Sequence, residues 1–221
     1  MIDILENYFW RSIQEDNTFE TNRNLNQKVD ETGRIQPYKG NTTVFLLDKD
    51  TKKKLKQLQD LLYQAVPEML AERLQEDTFH MTLHSLEDDK PDVPGLAERM
   101  AEAACKAEAL IKAWKGGPSL QMKTSWLFNM VNTSIVLGLM PADSESWHRL
   151  DEMYLALEEV KPLGYNMTPH ITMAYLRPGV YDRTQMDRLR NTLQNVDMEI
   201  TLPMKALVLQ NFTDMNHYET V

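Results

Sequence analysis

His-x-Thr occurs twice in this chain of 221 residues, as His80-Met81-Thr82-Leu83 and as His170-Ile171-Thr172-Met173, at an offset of 90. Ahead of each copy lies an apolar, β-branched run. Asn41-Thr42-Thr43-Val44-Phe45-Leu46 can be laid over Asn132-Thr133-Ser134-Ile135-Val136-Leu137 at an offset of 91. A helical pattern separates the two members of each pair. Self-similarity at a fixed offset constrains architecture before any local propensity does. It predicts two related lobes about a pseudo-two-fold axis, with the His-x-Thr strands facing each other.

The rest of the chain reads consistently with two rounds of strand, helix and strand. Thr42–Leu47 has the composition of a buried strand. Asp50 and Thr51 open a helix whose Leu55, Leu58, Leu61, Leu62 and Ala65 are read as one face. FHMTLHSL, Phe79–Leu86, alternates as a strand does, and Val93–Lys115 is the longest helical stretch, closed by Gly116-Gly117-Pro118. In the second round Leu120–Met130 and Thr133–Leu139 are strands meeting at an Asn132 turn. Ser144–Val160 is an amphipathic helix presenting Trp147, Leu150, Met153, Tyr154 and Leu157, and Pro169–Leu176 is a strand. Asp182–Val196 reads as helix, and Glu199–Leu202 and Ala206–Leu209 as two last strands. Residues 1–40 are polar from Gln14 onward and without clear periodicity, which predicts an N-terminal extension or flap beside a domain spanning 41–221.

On a strand, residues i and i+2 share a face, so His80 sits with Thr82 and His170 with Thr172. An imidazole gives or takes a proton near neutrality. A threonine hydroxyl two residues on donates a hydrogen bond to a phosphate oxygen. Two such pairs facing each other can cleave a phosphodiester without a metal or a covalent nucleophile. One histidine takes the proton of the attacking water, the other protonates the departing oxygen, and the threonines hold the non-bridging oxygens. The catalytic candidates are therefore His80, Thr82, His170 and Thr172. The structural alternative is two half-buried histidines capped by neighbouring hydroxyls.

The two motifs resemble the paired H-x-[ST]-hydrophobic signatures of the two-histidine (2H) phosphoesterase superfamily, which includes 2′-5′ RNA ligase-like proteins and 2′,3′-cyclic phosphodiesterases. The resemblance spans about Asn41 to Leu209, with Pro169 ahead of the second motif also similar. It implies an α+β, bilobal duplicated fold: two antiparallel sheets around a central cleft, helices outside. It further implies metal-independent action, with no cofactor, on a small nucleotide or a short RNA end carrying a 2′,3′-cyclic phosphate or a 2′-5′ linkage. Binding of the same ligand without turnover and 2′-5′ ligation are the alternatives. A purely structural interaction protein would require the repeat to be coincidence.

Composition closes off other classes. The 24 Lys and Arg against 33 Asp and Glu leave a net charge of −9, so no long nucleic-acid groove is expected. Cys105 is the lone cysteine, which excludes an intrachain disulfide and a multi-cysteine zinc site. No apolar run approaches the ~20 residues of a membrane span, and Met1–Trp10 carries Asp3 and Glu6 without a basic start. The expected location is the cytoplasm, and oligomeric state is left open. P-loop, GxGxxG and GxSxG motifs do not occur. His84 lies two residues beyond Thr82 and reads as a cleft-edge or surface residue, because on a strand it stands ~13 Å from His80, too far to share an ion. His148 reads as solvated, and His217 falls in an irregular tail. For substrate contacts, Trp126 and Phe128 are candidates to stack on a base, and Tyr38 to cover the cleft, with core packing and an ordinary loop as the alternatives.

Overall fold

The computed structural model describes residues 18–90, 93–192 and 196–221. In chain order its strands are β1 (Phe19–Glu20), β2 (Gly40–Leu46), β3 (His80–Asp88), β4 (Leu120–Met130), β5 (Ser134–Pro141), β6 (His170–Tyr175), β7 (Val180–Tyr181), β8 (Glu199–Leu202), β9 (Leu207–Asp214) and β10 (His217–Thr220). The helices among these residues are α1 (Lys49–Ala65), α2 (Leu96–Trp114), α3 (Ser144–Glu158) and α4 (Arg183–Thr192). Asp48 starts α1 by accepting from the Thr51 amide at 2.9 Å, and Asp143 starts α3 by accepting from Ser146 at 2.7 Å. Leu55, Gln59 and Leu62 form the buried stripe of α1. Leu61, read as part of that face, is 54 % exposed, because at 100° per residue it sits about 120° around the helix from Leu55.

Eight strands form one antiparallel sheet in the order β10-β9-β2-β3-β6-β5-β4-β8. It divides into two four-stranded lobes, and the seam between β3 and β6 is a single register pair, Met81 with Ile171. The fold is thus α+β and duplicated, as the repeat implies. Helix α2 packs on β2, β3 and β9, and α3 on β3, β4 and β5. The C-terminal strands complete the first lobe: β9 pairs with β2, and β10 with β9. The tail holding His217 is therefore a strand and not irregular, because its hairpin partner β9 runs on to Asp214, beyond the expected end at Leu209.

The duplication also corrects the overlay of the first strands. Leu46 pairs with His80, and Gly138 with His170. The structural offset of β2 to β5 is therefore 92, not 91. A slip of one residue turns every side chain to the other face, so the difference decides which residues floor the cleft.

Residues 18–31 are laid over the second lobe, and the chain then crosses to the first, where the Tyr38 amide donates to the Thr213 carbonyl at 2.9 Å. β1 pairs with β7, and Phe19, Leu25 and Val29 are buried in the main core. Val131 and Asn132, at the β4–β5 turn, have φ of 44° and 61°. A β-branched residue is disfavoured there, whereas asparagine tolerates it. The turn is clamped from the N-terminal segment: the Asn22 amide donates to the Asn132 carbonyl at 2.9 Å, and Asn132 Nδ2 donates to the Glu20 carbonyl at 3.1 Å. No helix among the described residues is long and apolar enough to cross a membrane.

Candidate active site

β3 and β6 carry the two motifs side by side at the seam. Extending the Met81–Ile171 antiparallel register by one residue each way sets His80 opposite Thr172 and Thr82 opposite His170. All four side chains line one cleft of about 250 Å³. The histidines are held alike. Nδ1 of His80 is 2.7 Å from the Thr78 carbonyl oxygen, and Nδ1 of His170 is 2.6 Å from that of Thr168. A carbonyl only accepts, so Nδ1 carries a proton in both rings, and the neutral imidazole presents Nε2 as a free acceptor. The anchors share the 90-residue offset, so the repeated unit is Thr-x-His-x-Thr, legible by extending the overlay two residues back.

Each motif strand bulges just after its threonine. The β2–β3 register passes from Val44–Thr82 to Thr43–His84, and the β5–β6 register from Val136–Thr172 to Ile135–Ala174. The extra residue reverses the alternation. It brings Ser85 and Tyr175, which are equivalent positions, onto the cleft wall. It also takes His84 off that wall. His84 is 1 % exposed, with Nε2 2.9 Å from Glu158 Oε1. The expected cleft-edge or surface position of His84 is thus corrected: strict alternation fails at the bulge. The bulge carbonyls are satisfied by side chains. Thr42 and Thr43 hydroxyls donate to His84 O at 3.0 and 3.2 Å, and Gln59 Nε2 donates to Met173 O at 3.1 Å.

Burial pushes the pKa of His80 down to about 4 against the opposing hydrogen bond to the Thr78 carbonyl, and the Lys52 ammonium adds to the lowering. Burial also lowers His170, and the Lys28 ammonium adds to it. Both imidazoles are therefore neutral at pH 7 in the free protein. Val44 and Val136, the register partners of the two threonines, are fully buried.

The other proposed contacts fare differently. Tyr38 is buried against Phe212, and its hydroxyl donates to Asp88 at 2.8 Å, so it does not line this cleft. Phe128 is register partner to Val136, one strand out from Thr172, but is 5 % exposed and packed over Gly138. Trp126 lies where the β4–β5 register shifts and does not line the cleft. The aromatic walls are instead Tyr165, Tyr175, Phe212 and Tyr218. Tyr218 meets the His80 ring edge-on at 5.1 Å between centroids, and Tyr165 is 62 % exposed. Tyr175 lies on the second motif strand at the repeat position of Ser85, whereas Tyr165, Phe212 and Tyr218 come from segments outside the two motifs, for which the repeat carried no signal. His148 is exposed, as expected, and His217 lines a neighbouring cavity of about 370 Å³ that reaches His80 and Tyr218. Among the described residues, no group of three or more His, Cys, Asp or Glu is placed to hold a metal ion.

Comparison with family models and with curated proteins gives no match. Solved structures do match. A conserved protein of unknown function from Agrobacterium tumefaciens str. C58, ATU0111, is 16 % identical with a TM-score of 0.68, over 97 % of this chain and 98 % of that one. Escherichia coli LigT complexed with 3′-AMP is 13 % identical with a TM-score of 0.53, over 84 % of this chain and 96 % of LigT. TT0787 of Thermus thermophilus is 11 % identical with a TM-score of 0.51, over 82 % and 94 % of the two chains. By its fold this chain stands with LigT and these two bacterial proteins, as the paired motifs led one to expect.

Proposed function

We propose that the protein is a 2H phosphoesterase that hydrolyses a phosphodiester in a small cytoplasmic nucleotide or at a short RNA end, a 2′,3′-cyclic phosphate or a 2′-5′ linkage, without a metal. The observation that carries this reading is the identical anchoring of His80 and His170, each Nδ1 on the carbonyl two residues back, each facing the other motif's threonine. The mechanism divides the work between the two rings. An unprotonated Nε2 facing a phosphate oxygen is repulsive, so anion binding draws a proton onto one of them. That imidazolium protonates the departing oxygen, while the neutral partner takes a proton from the attacking water. Water adds across the broken P–O bond, and the pair ends with its proton exchanged. Thr82 and Thr172 donate to the non-bridging oxygens where charge builds up.

The structure of LigT with ATP, at a TM-score of 0.53, supports a nucleotide as the ligand of a cleft with this fold. The exposed ring of Tyr165 is the stacking surface for a base in this reading. The catalytic unit spans residues 41–221. Nucleotide binding without turnover is the second reading, favoured by the depressed pKa of both imidazoles, which leaves the free protein no ready acid at neutral pH. Turnover of 2′,3′-cyclic mononucleotides and a 2′-5′ dinucleotide in EDTA separates the two. Product from wild type and none from His170→Ala supports hydrolysis. Unaltered rates in His170→Ala overturn it, and binding without product moves the assignment to the second reading.

A further inference from the structure

The cleft that we assign to a phosphate has, among the described residues of its lining, a single lysine or arginine, Lys28. This residue lies in the segment before Asn41, outside the duplicated unit. Its ammonium stands 5.0 Å from the centroid of the Tyr38 ring and 5.8 Å from that of Tyr175, within cation–π range of both. No carboxylate lies within ion-pairing distance of it among the described residues. The nearby Asp88 is engaged elsewhere, accepting from the Tyr38 hydroxyl at 2.8 Å and facing Lys90 at 3.5 Å. Two ring faces position an ammonium but do not neutralise it, so its charge is available to an anion. Beside burial, the ammonium is one of the groups that hold the His170 pKa down.

The backbone holds Lys28 firmly. It closes the 3-10 turn Arg23–Gln27, its amide donating to the Leu25 carbonyl at 2.8 Å and its carbonyl accepting from Gln36 at 2.8 Å. Leu25 and Val29 on either side are fully buried. Lys28 also lines a further cavity of about 400 Å³ on its far side, so it stands on the wall between two open spaces.

We infer that Lys28 is the cation that meets the negative charge of the substrate phosphate, and that the N-terminal segment thereby completes the substrate site. The inference rests on the proposed function only in placing a phosphate in this cleft. It is tested by calorimetric affinities of the intact chain for inorganic phosphate, 3′-AMP and uncharged adenosine, in wild type, Lys28→Met, Lys28→Gln and Lys28→Arg. Loss of one hydrogen bond to charge corresponds to roughly ten- to hundredfold weaker binding of phosphate and 3′-AMP in the Met and Gln variants. The Arg variant retains most of the affinity, and adenosine binding does not change. A strut that merely fills the space between two rings would alter melting temperature and leave the phosphate affinity of folded Lys28→Gln at the wild-type value, which overturns the inference. Absence of phosphate binding by wild type overturns it as well. Turnover is read separately. Wild-type turnover with Lys28-independent phosphate affinity sinks this inference and leaves the proposed function standing, whereas Lys28-dependent affinity without turnover does the reverse.

Discussion

Met81 and Ile171, the middle residues of the two His-x-Thr motifs, are each other's antiparallel partners and the register pair that joins the two lobes across their seam. Cross-strand neighbours in such a pair stand about 5 Å apart at Cβ and diagonal ones about 7–8 Å. His80 and His170 are diagonal in this register, which leaves room between them for a phosphorus centre with a threonine beside each. The proposed catalytic quartet is thus brought together by one pairing, made where two duplicated strands meet.

Removing either histidine and removing either threonine should have effects of different size. His80→Ala and His170→Ala each lose a proton-transfer partner, worth roughly 10²–10⁴ in rate. Thr82→Val and Thr172→Val keep shape but lose one hydrogen bond to charge, roughly ten- to hundredfold in kcat/KM. Initial rates on a 2′,3′-cyclic nucleotide at saturating and limiting substrate measure both. A threonine variant poorer than the histidine variants would contradict the assigned roles.

Phosphate binding should take up protons. Both cleft imidazoles are held below the usual histidine range, His80 at about 4, so the free cleft carries no imidazolium at pH 7. Titration of phosphate in buffers of differing ionisation enthalpy is expected to show proton uptake at pH 7 that diminishes as pH is lowered. The uptake should be smaller in His80→Ala. Binding heats independent of the buffer would mean that the imidazoles do not meet the anion.

Stability should rise with pH across the acid range. His80, His84 and His170 all have pKa values depressed by burial, so the unfolded chain binds more protons than the native one below about 6.5. The stability they contribute is fully present above that pH and is lost as pH falls, for His80 down to about 4. Urea midpoints should therefore be higher at pH 7.5 than at pH 5, and the slope shallower in His80→Ala. A flat profile would show that these rings are more solvated than their surroundings suggest.

Gly138 should resist even alanine. It faces His170 in the β5–β6 register, and a Cβ placed there would come within 2.3 Å of Ser125 Oγ and 3.0 Å of the Phe128 ring. Overpacking of this kind costs about 1–3 kcal/mol. Denaturant midpoints of Gly138→Ala should fall accordingly, and Ser125→Gly in the same chain should restore part of the loss. An unchanged midpoint would mean that the Ser125 side chain turns aside at no cost.

The duplication, the order of the main strands and helices and the four residues of the His/Thr quartet were legible in the sequence, whereas the short strands β1, β7 and β10 were not. They repeat at fixed spacing, and i,i+2 geometry on a strand needs no tertiary information. His84 shows where that logic stops. Alternation puts it on the cleft face, but a bulge after Thr82 turns it into the core against Glu158. Nothing local marks the bulge, because its carbonyl is satisfied by Thr42 and Thr43 from the neighbouring strand. The same limit explains the one-residue slip in the overlay of the first strands, whose β-branched runs align almost equally well in either register.

The amino-acid sequence by itself determined the chemistry at the centre: two imidazoles, two hydroxyls and the repeat that makes them face. Only the tertiary structure decided what surrounds them. Tyr218 reaches His80 because the last hairpin joins the first lobe, and Lys28 reaches the cleft because the N-terminal segment lies over the second. Such contacts join residues more than a hundred positions apart, and no periodicity couples them. They are fixed by which buried faces cover one another, so the aromatic and cationic walls of the cleft become readable only once the chain ends have been put in place.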